Sequence, residues 1–182
     1  MKREEAFDLV KQNTNRENLL KHMLAVEAIM RKTAEVLGED KEKWGLVGLL
    51  HDIDFEAMTD PKDHGVIAAD ILQGKVDDEI IRAIKSHNFE YTGATPNSKM
   101  EYCLIAADSI SGLIIACALV MPSRKLAEVK EESIAKRFKE KDFARNCSRE
   151  RIVFCEKAEI PKEKFYEIAL TALQENAKSF GL

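Results

Sequence analysis

Apolar positions recur at three- and four-residue intervals through almost every segment of the chain, and no stretch sustains the alternation of a strand. The clearest run, Leu19, Met23, Val26 and Met30, marks one face of a helix over residues 16–37, with Thr14 or Asn15 as its cap and Gly38 as its stop. A short helix over residues 3–11 precedes it, and Asp40 caps another from Lys41 to about Ile53. Asp63 is placed to cap a helix that opens with His64 and closes near Gly74, and Asp77 to cap one from Asp78 to Asn88. Ser98-Lys99-Met100-Glu101 has the form of a capping box ahead of an apolar run that ends before Pro122. Helical patterns over residues 130–143, 148–158 and 161–180 complete the chain. The prediction is an all-α bundle of about eight helices in one domain, 1–182. Its core spans about 14–120, and a charge-rich helical extension or lid occupies 121–182.

Composition agrees with that picture and narrows the partners. A chain of 182 residues buries a sizeable core, and 45% apolar with 33% charged residues is ordinary for a globular protein. A net charge of −4 offers no general attraction to phosphate polymers, so no nucleic acid polymer is expected as a partner. Cys103, Cys117, Cys147 and Cys155 form no CxxC pair, and the charged start Met1-Lys2-Arg3-Glu4-Glu5 leads into an amphipathic segment. A cytoplasmic setting with reduced thiols is the expectation. Residues 103–121 carry no Lys or Arg over nearly a membrane's span, but Asp108, Ser109 and Ser111 interrupt them. A buried core helix is expected rather than a membrane segment, and Asp108 inside it needs a partner.

Candidate chemistry centres on Leu46-Val47-Gly48-Leu49-Leu50-His51-Asp52, an apolar run ending in a histidine and a carboxylate. Neighbours on a helix point about 100° apart, but at a last turn the backbone is free to bend both toward one point. Imidazole beside carboxylate suits a divalent cation. The chain has only four histidines, His22, His51, His64 and His87, each in a different predicted helix, with Asp108 in a fifth. Singly, each reads as well as a satisfied core or surface residue. Together, in the order H…HD…H…H…D, they favour one metal centre of the kind that bundles build from several helices.

This order resembles the HD superfamily of metal-dependent phosphohydrolases, and within it the small HDIG-type hydrolases, from about Leu20 to Ile115. The resemblance implies that His22, His51, Asp52 and Asp108 bind a first divalent ion. It implies further that His64 and His87 hold a second, with Asp52 bridging, and that His51 and Asp52 are catalytic. One or two ions of Mn, Fe, Ni, Mg or Zn are expected. The chain departs from the family pattern at Asp54, where glycine is usual, and lacks both the lysine that often follows and a GYP signature. A cyclic-dinucleotide substrate is therefore not carried over. The expected activity is cleavage of a phosphate ester of a small metabolite or nucleotide, as phosphomonoesterase or phosphodiesterase, by metal-activated hydroxide. Two alternatives share the ligand types: an HD-type mixed-valent di-iron oxygenase, and a non-catalytic metal-dependent ligand-binding module. Arg82, Lys85 and Lys125 are the candidates for binding substrate phosphate, each equally readable as an ordinary solvated side chain. Asp54 and Glu56 either orient a ligand histidine or are exposed loop carboxylates.

Overall fold

A computed structural model describes residues 1–182, and the periodic segments become eleven α-helices with no strand. They are α1 (Arg3–Asn13), α2 (Glu17–Leu37), α3 (Lys41–Leu50), α4 (Val66–Leu72), α5 (Asp78–His87) and α6 (Phe89–Thr92), followed by α7 (Lys99–Leu119), α8 (Glu131–Lys139), α9 (Arg149–Ile152), α10 (Lys162–Glu175) and α11 (Ala177–Phe180). Three of these, α6, α9 and α11, are single turns, which leaves eight longer helices. The apolar run after Ser98 becomes the central helix. α7 is long and apolar enough to cross a membrane by composition, yet most of it is covered by α2, α5, α8, α9 and the 3-10 turn Val153–Ala158. One hydrophobic cluster runs from Ala6 to Phe180, so residues 121–182 contribute to the same core through Leu126, Ile134, Ile152, Phe165 and Leu173.

Several caps come from outside the local sequence. Neither Thr14 nor Asn15 caps α2; Glu56 does, its Oε1 accepting from the backbone N–H of Asn15 at 3.0 Å and of Arg16 at 2.8 Å. That places a carboxylate at the positive end of the helix macrodipole. Ser98 caps α7 as expected, but Glu101 reaches one residue further than a capping box requires, accepting from Asn97 N–H at 2.6 Å. Asp77 stands at the start of α5 without a side-chain cap bond.

Other boundaries shift for identifiable reasons. His64 does not open a helix; it is extended, and Gly65 at φ +83° makes the left-handed turn into α4. Asp63 turns back toward Asp60 within the 3-10 turn Pro61–Asp63 instead. α8 stops at Lys139 because the Arg149 guanidinium takes the carbonyls of Arg137, Phe138 and Glu140. The helix from Arg149 tightens to 3-10 geometry ahead of Ile160–Pro161, where the residue before proline is disfavoured in the α region.

The packing of α3 on α2 decides where the HD dipeptide lands. Gly45 and Gly48 lie against α2, and a Cβ at Gly48 would sit 2.8 Å from Cα and N of Glu27 and from the Val26 carbonyl oxygen. Those are backbone atoms that cannot swing aside. Gly48→Ala should therefore force the helices apart, at a cost of about 1–3 kcal/mol for overpacking. Thermal denaturation should show a fall on the order of 3–10 °C for a chain of this size. An unchanged melting temperature would mean that α3 does not approach α2 this closely.

Candidate metal centre

Helix α3 ends at Leu50, and the chain continues through turns closed by Ile53 N–H to Leu50 O at 3.2 Å and Phe55 N–H to Asp52 O at 3.0 Å. The bend swings His51 and Asp52 toward one point. Two groups of three donors result, His22 with His51 and Asp108, and Asp52 with His64 and His87, each with its ligand atoms within 4.8 Å of one another. Asp52 joins them. Its Oδ1 lies 3.4 Å from His51 Nε2, 3.3 Å from His64 Nε2 and 3.6 Å from His87 Nε2, while Oδ2 lies 3.6 Å from His22 Nε2. Asp108 Oδ1 is 3.2 Å from His22 Nε2 and 3.9 Å from His51 Nε2.

In every ring the Nδ1 side faces an oxygen, which leaves Nε2 for the centre. His51 Nδ1 donates to Gly48 O at 2.9 Å, and His87 Nδ1 donates to Ile84 O. His64 Nδ1 meets Asp54 Oδ1 at 2.8 Å, and His22 Nδ1 faces Ser111 Oγ at 3.3 Å. Such partners fix the tautomer and orientation of metal-ligating histidines. Asp54 does more than hold His64. Fully buried, it also accepts from Gly65 N–H at 2.7 Å and Ala68 N–H at 2.9 Å through Oδ2, and so caps α4. Glu56, by contrast, holds the start of α2 and touches no ligand histidine.

The electrostatics fit a cation. Burial pushes His51 down to about 4, so its ring is neutral, and its Nε2 is a buried nitrogen with no hydrogen-bond partner. Burial opposes ionisation of Asp52, but the surrounding imidazoles hold it well below the usual carboxylate range. Asp108 is likewise drawn down to about 2, against burial, chiefly by its bond to His22. His64 is raised to about 10, its bonds to Asp52 and Asp54 outweighing burial, and its Nε2 meets His87 Nε2 at 2.8 Å. With both Nδ1 atoms committed elsewhere, a proton or a cation must lie between those two nitrogens. Elsewhere the nitrogen–oxygen separations of 3.2–3.9 Å are those expected of neighbouring ligands about 2.0–2.2 Å from a shared ion. Mixed imidazole and carboxylate donors suit a borderline divalent metal.

The sequence profile of the HD domain matches residues 19–116, more than half of the chain. The chain belongs to the HD domain family. Ribonuclease Y of Nitratidesulfovibrio vulgaris is 37% identical over 101 residues, which are 53% of this chain and 18% of that one. Ribonuclease Y of Oleidesulfovibrio alaskensis is 35% identical over 99 residues, 53% of this chain and 18% of that protein. Ribonuclease Y of Rhodopirellula baltica is 31% identical over 125 residues, 67% of this chain and 23% of that protein. The chain thus spans about a fifth of the length of the relatives it matches. No solved structure matches it. Family and donor set support a metal-dependent hydrolase.

This HD domain opens to solvent through a cleft of about 400 Å³ lined by His22, Asp52, His64, His87, Asn146 and Arg151, among others. The structure does not bring the three sequence-nominated cations there. Arg82 pairs with the buried Glu101 at 3.0 Å and donates to Thr95 O at 3.0 Å. Lys85 shares with Arg82 a shallow surface depression beside Asp78, Ile81 and Ala94. Lys125 is exposed at the start of the 3-10 turn Leu126–Glu128. Arg151, which lies beyond the family segment, was not singled out from the sequence; the charge-rich stretch before it was the only signal available. Phe55, at the cleft mouth, stacks edge-on against His64 with centroids 5.9 Å apart.

Asp54 supplies the sharpest test of the second trio. Reconstituted wild-type protein should approach two ions per chain by elemental analysis. Asp54→Ala should weaken the ion held by Asp52, His64 and His87 by about 10–100-fold, taking the content toward one ion per chain. Stability should fall by about 1–2 kcal/mol as α4 loses its cap. Wild-type metal content and melting temperature in this variant would remove Asp54 from both roles.

Proposed function

We propose that the protein is a phosphohydrolase that cleaves a phosphate ester of a small metabolite or nucleotide, using one or two divalent ions held by His22, His51, Asp52, His64, His87 and Asp108. The observation that carries this reading is the meeting of two three-donor groups at Asp52, sealed by the core behind His51 and open to a cleft in front. When bound, the ions lower the pKa of water and withdraw charge from a phosphoryl oxygen. The chain's own residues set the stage for that chemistry. Asp52 supplies the negative charge common to both groups, which neutral imidazoles cannot. His51, buried and uncharged, presents a lone pair without a competing proton. Hydrogen bonds at each Nδ1 hold the rings in place before substrate arrives, so little reorganisation remains for the reaction itself. The cleft volume suits a small phosphorylated molecule.

Cleavage of an RNA phosphodiester is the second reading, favoured by the likeness to proteins named ribonuclease Y. A polymer needs several phosphate contacts, whereas the chain carries a net charge of −4 and the two hollows that reach the centre offer one Arg or Lys each, Arg151 and Arg16, so the small substrate is preferred. The open face of the centre argues against a purely binding or structural metal. An oxygenase of the di-iron type would announce itself by iron content and oxygen uptake without phosphate release.

The deciding experiment screens protein loaded with Mn²⁺, Ni²⁺, Mg²⁺ or Fe²⁺ against phosphomonoesters, phosphodiesters and a short RNA. Phosphate release is expected from a small ester. Asp52→Asn keeps the side chain's shape and removes its charge. It should lower metal affinity and turnover by at least the 10–100-fold typical of changes one layer further out. Chelation with EDTA should abolish wild-type turnover. An Asp52→Asn protein that retains metal and full activity sinks the proposal.

A further inference from the structure

The cleft that reaches all of Asp52, His64 and His87 has one Arg or Lys in its lining, Arg151, while Arg16 lines a second hollow that borders His22, Asp52 and Asp108 but neither His64 nor His87. Arg151 stands on α9, well beyond the family segment of residues 19–116, and reaches back to the metal centre. Its guanidinium is only partly committed. Nη1 bonds both carboxylate oxygens of Glu90, at 3.2 and 3.1 Å, and Nη2 donates to the His87 carbonyl oxygen. Nη2 also lies 3.7 Å from Asp108 Oδ2, too far for a hydrogen bond. One Nη2 proton and Nε therefore have no partner within the protein. Arg151 is four-fifths buried, so its guanidinium is held in place at the lining of the solvent-open cleft.

The carbonyl of His87 matters because the same residue supplies a ligand nitrogen. Arg151 is thereby fixed relative to one donor group through His87 and stands beside the other through Asp108. A phosphoryl group drawn to the centre presents oxygens on the side away from the ligands, where Ser109, Asn146, Cys147 and Arg151 line the cleft with side-chain hydrogens, those of Asn88 being spent on the carbonyls of Pro61 and His64. Of these, only Arg151 carries charge, and a guanidinium offers paired donors that match two phosphate oxygens.

Resting on the phosphohydrolase reading, we propose that Arg151 binds the phosphoryl group of the substrate, so that the segment after α8 completes a site whose metal ligands all come from residues 22–108. Glu90 holds the guanidinium at the correct angle, as a positioning residue. The competing reading is that Arg151 merely ties α9 to α5 and α6.

Inorganic phosphate, the product common to phosphomonoesters, is the probe. Its affinity for manganese-loaded protein is measured by calorimetric titration, alongside metal content and melting temperature. Arg151→Gln should weaken phosphate binding on the order of 10- to 100-fold, the loss expected for a charged hydrogen bond, while metal content stays at the wild-type level. Arg151→Lys should recover part of the loss, because charge returns without the fork. Glu90→Gln should give a smaller loss in the same direction, raising KM for an ester more than it lowers kcat. A lower melting temperature in Arg151→Gln with phosphate affinity unchanged shows a structural tie and overturns the proposal. Loss of metal together with phosphate also overturns it, since Arg151 would then act through Asp108. Wild-type protein that takes up metal yet neither binds phosphate nor cleaves any ester refutes the hydrolase reading itself, a result distinct from either Arg151 outcome.

Discussion

A carboxylate buried among four imidazole rings is stable only if positive charge is brought to it, and Asp52 is that carboxylate. Removing an anion from water costs far more than any single hydrogen bond returns, so the neighbourhood has to supply a proton or a cation. His64 accepts a proton readily because two carboxylates, Asp52 and Asp54, flank it. His51 also has two carboxylates near it, Asp52 at 3.4 Å and Asp108 at 3.9 Å, but complete burial outweighs them and it stays neutral. The two donor groups thus present their nitrogens differently: His64 Nε2 faces His87 Nε2 at 2.8 Å, while His51 Nε2 has no hydrogen-bond partner. Both arrangements leave a cation as the partner that satisfies all the donors at once.

That demand reaches into the backbone. His51 and Asp52 arrive at the centre because α3 lies nearly in backbone contact with α2 at Gly48, and the Gly48 carbonyl then accepts from His51. Asp54, two residues on, spends one oxygen on His64 and the other on the start of α4. Where the family pattern has glycine, this chain places a buried anion that ties the turn after α3 to the next helix. The ligand and the cap share one carboxylate, so the geometry of His64 and the stability of α4 cannot be varied separately.

Much of the bundle was legible because 3.6-residue periodicity survives in any amphipathic helix, and because Gly38, Asp40 and Ser98 are local stop and start signals. The six donors were legible for a different reason. Histidine is rare here, and the HD dipeptide ends an apolar run, so the residue types and their order carried the information. What stayed hidden depends on contacts between distant segments. Glu56 capping α2 and Asp54 capping α4 replace the local Thr14, Asn15 and Asp63 that spacing nominated. Arg82 looked available until Glu101, nineteen residues away, turned out to be buried beside it. A lone surface-type residue announces nothing about which partner the fold will bring.

Residues 139–148 show the same limit in its strongest form. Arg149 donates to six backbone carbonyls, those of Arg137, Phe138, Glu140, Phe143, Ala144 and Cys147, at 2.5–3.3 Å, and forms no ion pair. Carbonyl oxygens carry no residue signature, so nothing in this stretch of sequence marks it as folded around a cation. Yet the cage bends the chain enough to hold Ala144 at φ +45°, a left-handed conformation that costs a non-glycine residue about 1–2 kcal/mol. The return is a rigid wall that presents Asn146, Cys147 and Arg151 to the metal cleft. A metal centre built from helices constrains every ligand at once, whereas a wall held by backbone carbonyls tolerates exchange of its side chains. If Arg151 binds the phosphoryl group as proposed, substrate choice is free to change in this segment while the six donors beneath it stay as they are.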